Sequence, residues 1–255
     1  MSALPTSERG SEIRVIPLEG VPEIEDGDDL AALLLDAAGL AGGFADTDVL
    51  VVAQKAVSKA EGRVVRLDDV EPSQRALELA DDRDPRHVEW ILRESAHVVR
   101  VRPPLIIAET WHGYVCAAAG VDASNAKGEG TLVLLPLDPD ASAARIREAI
   151  REQAGRDVGV IVSDSFGRPF RQGTVEVALG VAGLTPMLDL RGVRDSAGYE
   201  LHATQIAVAD ELAGAAELVM GKVDGIPAAL IRGLDLRGPG SGADLPIPEE
   251  RDLFR

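Results

Sequence analysis

Aromatic side chains and cysteine are scarce in this chain of 255 residues. Only 3% of the residues are aromatic although 45% are hydrophobic, so the core must be built from Val, Leu, Ile and Ala. The single cysteine, Cys116, excludes an internal disulfide and a metal site made of several cysteines. It fits a reducing compartment. The sequence therefore predicts an aliphatic core without covalent cross-links.

Basic residues are also few compared with acidic ones. The 26 lysines and arginines face 43 aspartates and glutamates, which gives a formal net charge of −17. Nucleic acids and anionic membranes are polyanions, so this balance argues against both as partners. No apolar run approaches the roughly 18–20 residues of a membrane span, and the N-terminus lacks the apolar core of a signal peptide. We expect a cytoplasmic protein that binds any polyanion through a metal ion and a local cluster of bases.

The common nucleotide-binding and hydrolase motifs are missing as well. The stretch from Gly214 to Lys222 fails the spacing of a P-loop, and Val223 follows where a hydroxyl residue is needed. The closely spaced glycines that begin at Gly238 do not follow a strand, so they are not a dinucleotide fingerprint. No HExxH, GxSxG or kinase HRD motif occurs. A nucleotide must therefore bind on another scaffold.

Hydrophobic periodicity predicts strands and helices that do not alternate strictly, which favours an α+β fold with mixed sheets and packed helices over a doubly wound sheet. Predicted strands cover 12–17, 48–53, 96–101, 105–109, 114–119, 131–135, 158–162, 198–204 and 228–232, and predicted helices cover 28–38, 71–94 with a break near Pro85, 141–153 and 205–220. Residues 12–233 form the predicted domain. We expect residues 1–11 to be disordered and residues 234–255, rich in Gly and Pro, to be an extended tail or a linker stub.

The segment 158–195 carries most of the chemistry. Its apolar run over 158–162 predicts a buried strand that ends at Ser-Asp-Ser, residues 163–165. Residues 167–173 (GRPFRQG) then hold two arginines between glycines and a proline. Carboxylate and hydroxyl oxygens suit Mg²⁺ or Mn²⁺, and arginine forks bind phosphate or carboxylate. The segment fits a metal–polyphosphate site, or else a polar loop that caps a strand with its arginines in water.

Two further loops follow predicted strands. Residues 54–59 (QKAVSK) place two lysines and a serine where they could hold a phosphate, or where they form a solvated connector. Residues 120–128 (GVDASNAKG) offer a carboxylate, a hydroxyl, an amide and a lysine. Asp, Ser and Asn also make ordinary turns by bonding their own backbone, so this loop alone does not decide between a site and a turn.

These loops occur in an order that resembles one known family, the coenzyme F420-0:γ-glutamyl ligases, in which F420 names a coenzyme. The resemblance runs from about residue 12 to residue 233 and rests on the ordered set rather than on any one loop. In chain order the set is Val21-Pro22-Glu23, the lysine–serine segment 54–59, Gly120-Val121-Asp122 with Ser124-Asn125, Ser163-Asp164-Ser165 with Gly167-Arg168-Pro169-Phe170-Arg171, Gly180-Val181-Ala182-Gly183, Val208-Ala209-Asp210-Glu211, Met220-Gly221-Lys222 and Ile231-Arg232-Gly233.

The resemblance implies an enzyme that joins L-glutamate to coenzyme F420-0 or its dehydro precursor. It implies GTP as co-substrate, two divalent cations per site, either Mn²⁺ or Mg²⁺, and K⁺ as a further candidate ion. The first glutamate would form an amide with the lactyl carboxylate, and later ones would be γ-linked. Transfer of the γ-phosphate would give an acyl phosphate that the glutamate amine displaces, a reaction that needs positioning and charge neutralisation most. The resemblance also implies an intertwined homodimer.

The site residues follow from the same resemblance. Asp122 and Asp164 would hold one metal ion, and Ser165 would help to hold a second. Some family members carry a metal-binding glutamine where this chain has Lys222, whose ammonium cannot ligate a metal ion but could replace part of its charge. Asn125 would touch the nucleotide or the coenzyme. The residues expected around GTP are Val21, Pro22, Glu23, Ile24, Gln54, Lys59, Asn125, Met220, Gly221, Lys222, Val223, Asp224, Gly225, Ile226 and Pro227.

Arg168 and Arg171 are our own candidates for catalytic side chains. They could clamp substrate carboxylates or the transferring phosphoryl group, or they could pair with Asp or Glu and hold the loop. Two rival functions use the same residues. One is a metal-dependent phosphohydrolase or kinase, and the other is a protein that binds a nucleotide or the coenzyme without turnover.

Overall fold

A computed structural model of the protein describes residues 12–253. The disorder predicted for residues 1–11 lies outside this range. The helices are α1 (Leu30–Leu40), α2 (Gln54–Ala60), α3 (Gln74–Ala80), α4 (Pro85–Arg93), α5 (Pro139–Ala154) and α6 (Val208–Met220). The strands are β1 (Arg14–Pro17), β2 (Val49–Ala53), β3 (Val64–Arg66), β4 (Ser95–Arg102), β5 (Leu105–Thr110), β6 (Val115–Ala117), β7 (Thr131–Val133), β8 (Gly159–Gly167), β9 (Thr174–Ala182), β10 (Leu188–Asp189), β11 (Gln205–Ile206) and β12 (Ala228–Arg232). This mixture of helices and several sheets confirms the predicted α+β class.

A five-stranded sheet in the order β1-β12-β2-β8-β9 forms the centre of the molecule. β2 and β8 pair in parallel, and the other pairs are antiparallel. Leu50 and Val52 of β2 face a core shared with α1 and α5, while Val49 and Val51 face α6. Because helices cover both faces, the middle strands are apolar on both sides, which explains their uninterrupted hydrophobic runs.

A second core lies beside this sheet. The antiparallel sheet β4-β5-β6 and the pair β3-β7 pack with α3 and α4 around buried residues such as Ile91, Ile106 and Leu132. The predicted break between these two helices is confirmed, because Asp84 caps α4 by accepting from the backbone N–H of Arg86 at 2.8 Å and Pro85 opens the helix. No helix within residues 12–253 is both long and apolar enough to cross a membrane.

Three predicted segments differ from the structure. β8 does not end at Val162 but continues through Gly167, where it pairs with β9 alone. Residues 54–59, predicted as a loop, belong to α2, which begins directly where β2 ends. The strand predicted over 198–204 is wrong, since only an isolated bridge at Glu200 and the short β11 occur near it.

The segment after β12 packs on the main body, although its composition predicted an extended tail or linker. Leu236 is buried, and its carbonyl accepts from the N–H of Thr185 at 2.8 Å. The Asp140 carboxylate, at the start of α5, accepts from the Ser241 hydroxyl at 2.5 Å and from the backbone N–H groups of Gly242 and Val181 at 2.7 Å each. One carboxylate therefore joins α5, β9 and the C-terminal segment.

A pair of glycine substitutions tests this packing. A Cβ added at Gly180 of β9 would lie 2.1 Å from the carbonyl oxygen of Pro139, whereas nothing lies within 4 Å of a Cβ at Gly214 of α6. Gly180→Ala should lower the free energy of unfolding by about 1–3 kcal/mol through overpacking. Gly214→Ala should raise it by about 0.5–1 kcal/mol, because alanine is the better helix former. Urea denaturation measures both, and equal effects would contradict the packing described here.

Candidate functional site

A cavity of about 420 Å³ opens at the carboxyl end of β2, where the parallel pairing of β2 with β8 ends at Ser163. Ligands commonly bind at this end of parallel strands, and the volume lies in the usual range for small-molecule sites. Predicted residues that line it are Val21, Pro22, Glu23, Ile24, Gln54, Lys59, Asn125, Asp164, Met220, Gly221, Lys222, Val223, Gly225, Ile226 and Pro227. Lys55, the other lysine of the segment 54–59, lines it as well, and so do Glu176 and Glu217, which the sequence did not single out. Of the residues expected around GTP, Asp224 alone is absent from the lining.

Two carboxylates lie close together at the base of the β8–β9 hairpin. Asp164 faces the cavity from β8, and Ser165 lies opposite Glu176 in the hairpin register. Burial, and then the charge of Glu176, raise the pKa of Asp164 to about 7, against the opposing influence of the Ser165 backbone, Lys55 and Lys222. Glu176 is itself only 6% exposed and accepts a hydrogen bond from the Ser165 hydroxyl. This crowding of like charge favours a bound cation.

Lys55 connects Asp122 to this cluster. Its ammonium donates to Asp122 Oδ2 at 2.5 Å, to Ser124 Oγ at 2.6 Å and to the Ser124 carbonyl at 2.9 Å. Burial acts to raise the pKa of Asp122, but the hydrogen bonds from Lys55 and Ser124 outweigh it and hold the pKa below its ordinary value. The same ammonium stabilises the charged form of Asp164. The two predicted metal ligands therefore lie around one cavity-lining lysine.

Helix α2 sets the positions of the basic side chains. Lys55 and Lys59 are four residues apart, so both lie on one face of the helix, and both line the cavity. Lys59 forms an ion pair with Glu23 from the segment after β1. The amide of Gln54 is buried and donates to Ser58 Oγ at 2.7 Å and to the Leu134 carbonyl at 2.9 Å, which fixes α2 against the body.

The loop after α6 forms the opposite wall. Lys222 Nζ donates to Ser165 Oγ at 2.9 Å. Burial, followed by the charge of Glu176, raises the pKa of Glu217, and Lys222 opposes this shift. Gly221 is required at the turn, because its φ is +60° and a Cβ there would lie 2.1 Å from Asp224 Oδ2.

The comparisons with known proteins identify the family. The model of the family described as F420-0:Gamma-glutamyl ligase matches residues 20–233. The chain belongs to this ligase family. It is 47% identical over 250 residues to the coenzyme F420:L-glutamate ligase of Methanothermobacter thermautotrophicus, covering 95% of this chain and 99% of that protein. It is 47% identical over 263 residues to the enzyme of the same name from Methanopyrus kandleri, with both chains covered completely.

A third relative of this ligase, the coenzyme F420:L-glutamate ligase of Archaeoglobus fulgidus, is 44% identical over 246 residues and is covered over 96% of its length. The family expected from the ordered loops is thereby confirmed. The chain is a member of a family of ligase enzymes, and the match extends over both cores and the cavity between the strand ends.

The two arginines predicted as catalytic lie elsewhere in the ligase. Arg168 and Arg171 belong to the turn of the β8–β9 hairpin and do not line the cavity. Arg168 Nη2 donates to the Gln172 carbonyl at 3.4 Å, its Nε is buried without a partner within residues 12–253, and neither arginine forms an ion pair in that range. Phe170 at the tip is 88% exposed with a φ of +61°.

The oxygen donors in the ligase site suit a hard divalent cation that is coordinated partly by the protein and partly by a bound ligand. No three His, Cys, Asp or Glu side chains in the described part of the chain form a complete metal site. Mg²⁺ and Mn²⁺ commonly take one or two protein carboxylates and complete their shell with phosphate oxygens and water. Asp122 and Asp164, with the Ser165 hydroxyl, fit that pattern, and the repulsion between Asp164 and Glu176 adds a reason to bind a cation.

A second, more open depression of about 700 Å³ lies beside the start of α5. Its two arginines, Arg147 and Arg237, are each paired with an aspartate, Asp157 and Asp235 respectively. Both of its arginines are paired, whereas the cavity at the strand ends also holds Lys222, which forms no ion pair within residues 12–253, so this depression is a weaker candidate for an anionic ligand.

Proposed function

We propose that the protein is a GTP- and divalent-metal-dependent ligase that adds L-glutamate to coenzyme F420-0 or its dehydro precursor. It would release GDP and phosphate and join glutamates after the first by γ-linkages. The names of three relatives at 44–47% identity, each a coenzyme F420:L-glutamate ligase, support the reaction class. The observation that carries the proposal is one cavity, lined by three lysines and four carboxylates, where the parallel pairing of β2 and β8 ends, in a chain of net charge −17.

The three lysines give the triphosphate its counter-charge. Lys55, Lys59 and Lys222 approach the cavity from two sides, and their ammonium groups are donors without acceptor capacity. Residues 21–24 and 220–227 form the walls in which the base and ribose would lie, with Asn125 beside them. In the free protein Lys55 is bound to Asp122. We propose that it turns to the phosphates when GTP binds, which frees Asp122 for the cation.

The reaction divides into two transfers. A carboxylate oxygen of the acceptor attacks the γ-phosphorus of GTP, and the bond between that phosphorus and the β–γ bridging oxygen breaks. GDP departs, and the acceptor now carries the phosphoryl group as an acyl phosphate. The amine of glutamate, after losing a proton, then attacks the acyl carbon, and phosphate leaves with its bonding electrons. A Mn²⁺ or Mg²⁺ ion held by Asp122 and Asp164 would supply charge neutralisation at the phosphates, and Ser165 would offer an oxygen to a second cation. K⁺ is proposed as a further ion.

Arg168 and Arg171 are proposed to bind the acceptor rather than the nucleotide. They lie on the same hairpin as Asp164 but at its turn, so an acceptor that spans from turn to cavity would meet both. Arg171→Ala should then lower kcat/KM for the acceptor by about 10–100-fold, the value of one charge-assisted hydrogen bond. The Kd for GTP, measured by calorimetry, should not change. An unchanged kcat/KM for every substrate would contradict the proposed role of Arg171 in binding the acceptor.

One assay tests the proposed function. Purified protein is incubated with F420-0, GTP, Mn²⁺ and L-glutamate, and mass spectrometry follows successive glutamyl increments. A ligase releases phosphate only when acceptor and glutamate are both present, whereas a phosphohydrolase needs neither and a binding protein releases none. Light scattering of the same preparation tests the proposed homodimer. Absence of any glutamyl product would refute the proposal.

A further inference from the structure

Lys222 differs from the other cavity lysines in what it contacts. Lys55 is bound to Asp122 and Lys59 to Glu23, each in an ion pair. Lys222 forms no ion pair within residues 12–253, and its ammonium donates to a neutral group, the Ser165 hydroxyl, at 2.9 Å. Its charge is therefore not taken up by one carboxylate.

Three carboxylates nevertheless lie near this ammonium. The charge of Lys222 favours ionisation of both Asp164 and Glu217. The same Ser165 hydroxyl that accepts from Lys222 donates to Glu176. Asp164, Glu176 and Glu217 all line the cavity. One ammonium thus lies among three acidic groups and shares its oxygen partner, Ser165, with one of them.

We infer that the ammonium of Lys222 occupies the second cation position of this site, so that each protomer binds one divalent cation with the nucleotide and not two. The inference rests on the proposed function and makes it more specific. A divalent ion bound to Ser165 Oγ would lie at about 2.1 Å from that oxygen. The ammonium is 2.9 Å from the same oxygen. The two cations could then be no more than about 5 Å apart, a separation at which they repel strongly even when screened by protein.

The arrangement has a functional consequence. A lysine carries one positive charge, does not dissociate and needs no loading from solution. One part of the charge neutralisation at the phosphates would therefore be permanent, and only the ion between Asp122 and Asp164 would exchange. The dependence of activity on Mn²⁺ concentration should follow a single binding step.

The stoichiometry of Mn²⁺ tests this inference directly. Free Mn²⁺ is measured by electron paramagnetic resonance while the full-length protein is titrated in the presence of GTPγS. The wild type should bind one Mn²⁺ per protomer. Lys222→Gln removes the ammonium and adds an amide oxygen among the acidic groups, so it should bind two. Lys222→Arg keeps the positive charge and should bind one.

A matched control separates the position of the charge from the net charge. Lys127 lies in an exposed loop and pairs with Glu25, 73% of its side chain being accessible. Lys127→Gln changes the net charge by the same amount as Lys222→Gln but should keep one Mn²⁺. Two ions in the wild type, or one ion in Lys222→Gln, would overturn the inference and leave the ligase proposal intact. Failure of every variant to bind Mn²⁺ with GTPγS would overturn both.

Discussion

Replacing Asp164 by asparagine is expected to lower kcat/KM for glutamate ligation by about 10²–10³-fold, the effect of losing one charged group that stabilises a phosphoryl transition state. Asp164 lines the cavity, and both Lys55 and Lys222 favour its charged form. Asparagine keeps the shape but cannot supply the anionic oxygen that a hard cation prefers. The affinity for Mn²⁺ in the presence of GTPγS should fall together with the rate.

Although the Asp164→Asn variant should be less active, it should not be less stable than the wild type. The raised pKa of Asp164 means that its charged form is disfavoured by burial and by Glu176. Stability is therefore lost as the pH rises from the ordinary aspartate pKa of 3.8 through about 7, where the buried group becomes charged. Asp164→Asn removes that cost, so its unfolding temperature at pH 8 should equal or exceed that of the wild type. A lower unfolding temperature would show that Asp164 has a structural role instead.

Asp210→Asn provides the matched control for this variant. Asp210 is also an aspartate whose pKa is raised by burial, and it accepts from the Ala178 N–H at 2.9 Å. It does not line the cavity, and an asparagine oxygen can still accept that bond. Its kcat/KM should match the wild type. Equal losses in the two variants would indicate a general effect of neutralising buried carboxylates.

Arg232→Ala is expected to lower the free energy of unfolding by roughly 3–5 kcal/mol, the cost of removing one partner of a buried ion pair. Asp48 is 0% exposed and precedes β2, and Arg232 ends the neighbouring β12. The guanidinium binds both carboxylate oxygens, at 2.8 and 2.7 Å, and also donates to the Gly43 carbonyl at 2.9 Å. Without it, Asp48 keeps one hydrogen bond from the Ala45 N–H but has no counter-charge.

Urea denaturation followed by circular dichroism measures this loss. Arg237→Ala serves as the control, because its pair with Asp235 is exposed and close in sequence, and we expect no measurable change. A loss below about 1 kcal/mol in Arg232→Ala, the range of surface pairs, would contradict the buried role. The GTPγS affinity of the folded variant should stay at the wild-type value, since Arg232 does not line the cavity.

The parts of the fold that local sequence determines were predictable. β2 and the first half of β8 are buried on both faces, so their apolar runs identify them. The break predicted near Pro85 separates α3 from α4, and α5 was located by its periodicity. The prediction ended β8 too early because beyond Ser163 the strand no longer pairs with β2 and pairs only with β9, so the apolar run ends while the strand continues.

The site residues that lie in loops were predictable from sequence motifs. The site residues that strand pairing or helix packing brings to the cavity were not. The segments 21–24 and 220–227 and the Asp122 loop could be found as ordered motifs. Glu176 could not, because it joins the site only through the hairpin register that places it opposite Ser165. Glu217 lies on a helix whose composition gives no sign that one side chain faces a cavity. Lys55 was within the expected segment, but its contact with Asp122 depends on tertiary structure.

The placement of Asp164 and Ser165 in a strand ladder affects the entropy of ligand binding. Ordering a flexible loop around a ligand costs about 1–2 kcal/mol per residue in lost backbone freedom. In the hairpin, residues 164 and 165 are already fixed opposite Val177 and Glu176. Folding has therefore already ordered these two residues, and nucleotide binding does not lose free energy to ordering their oxygen donors.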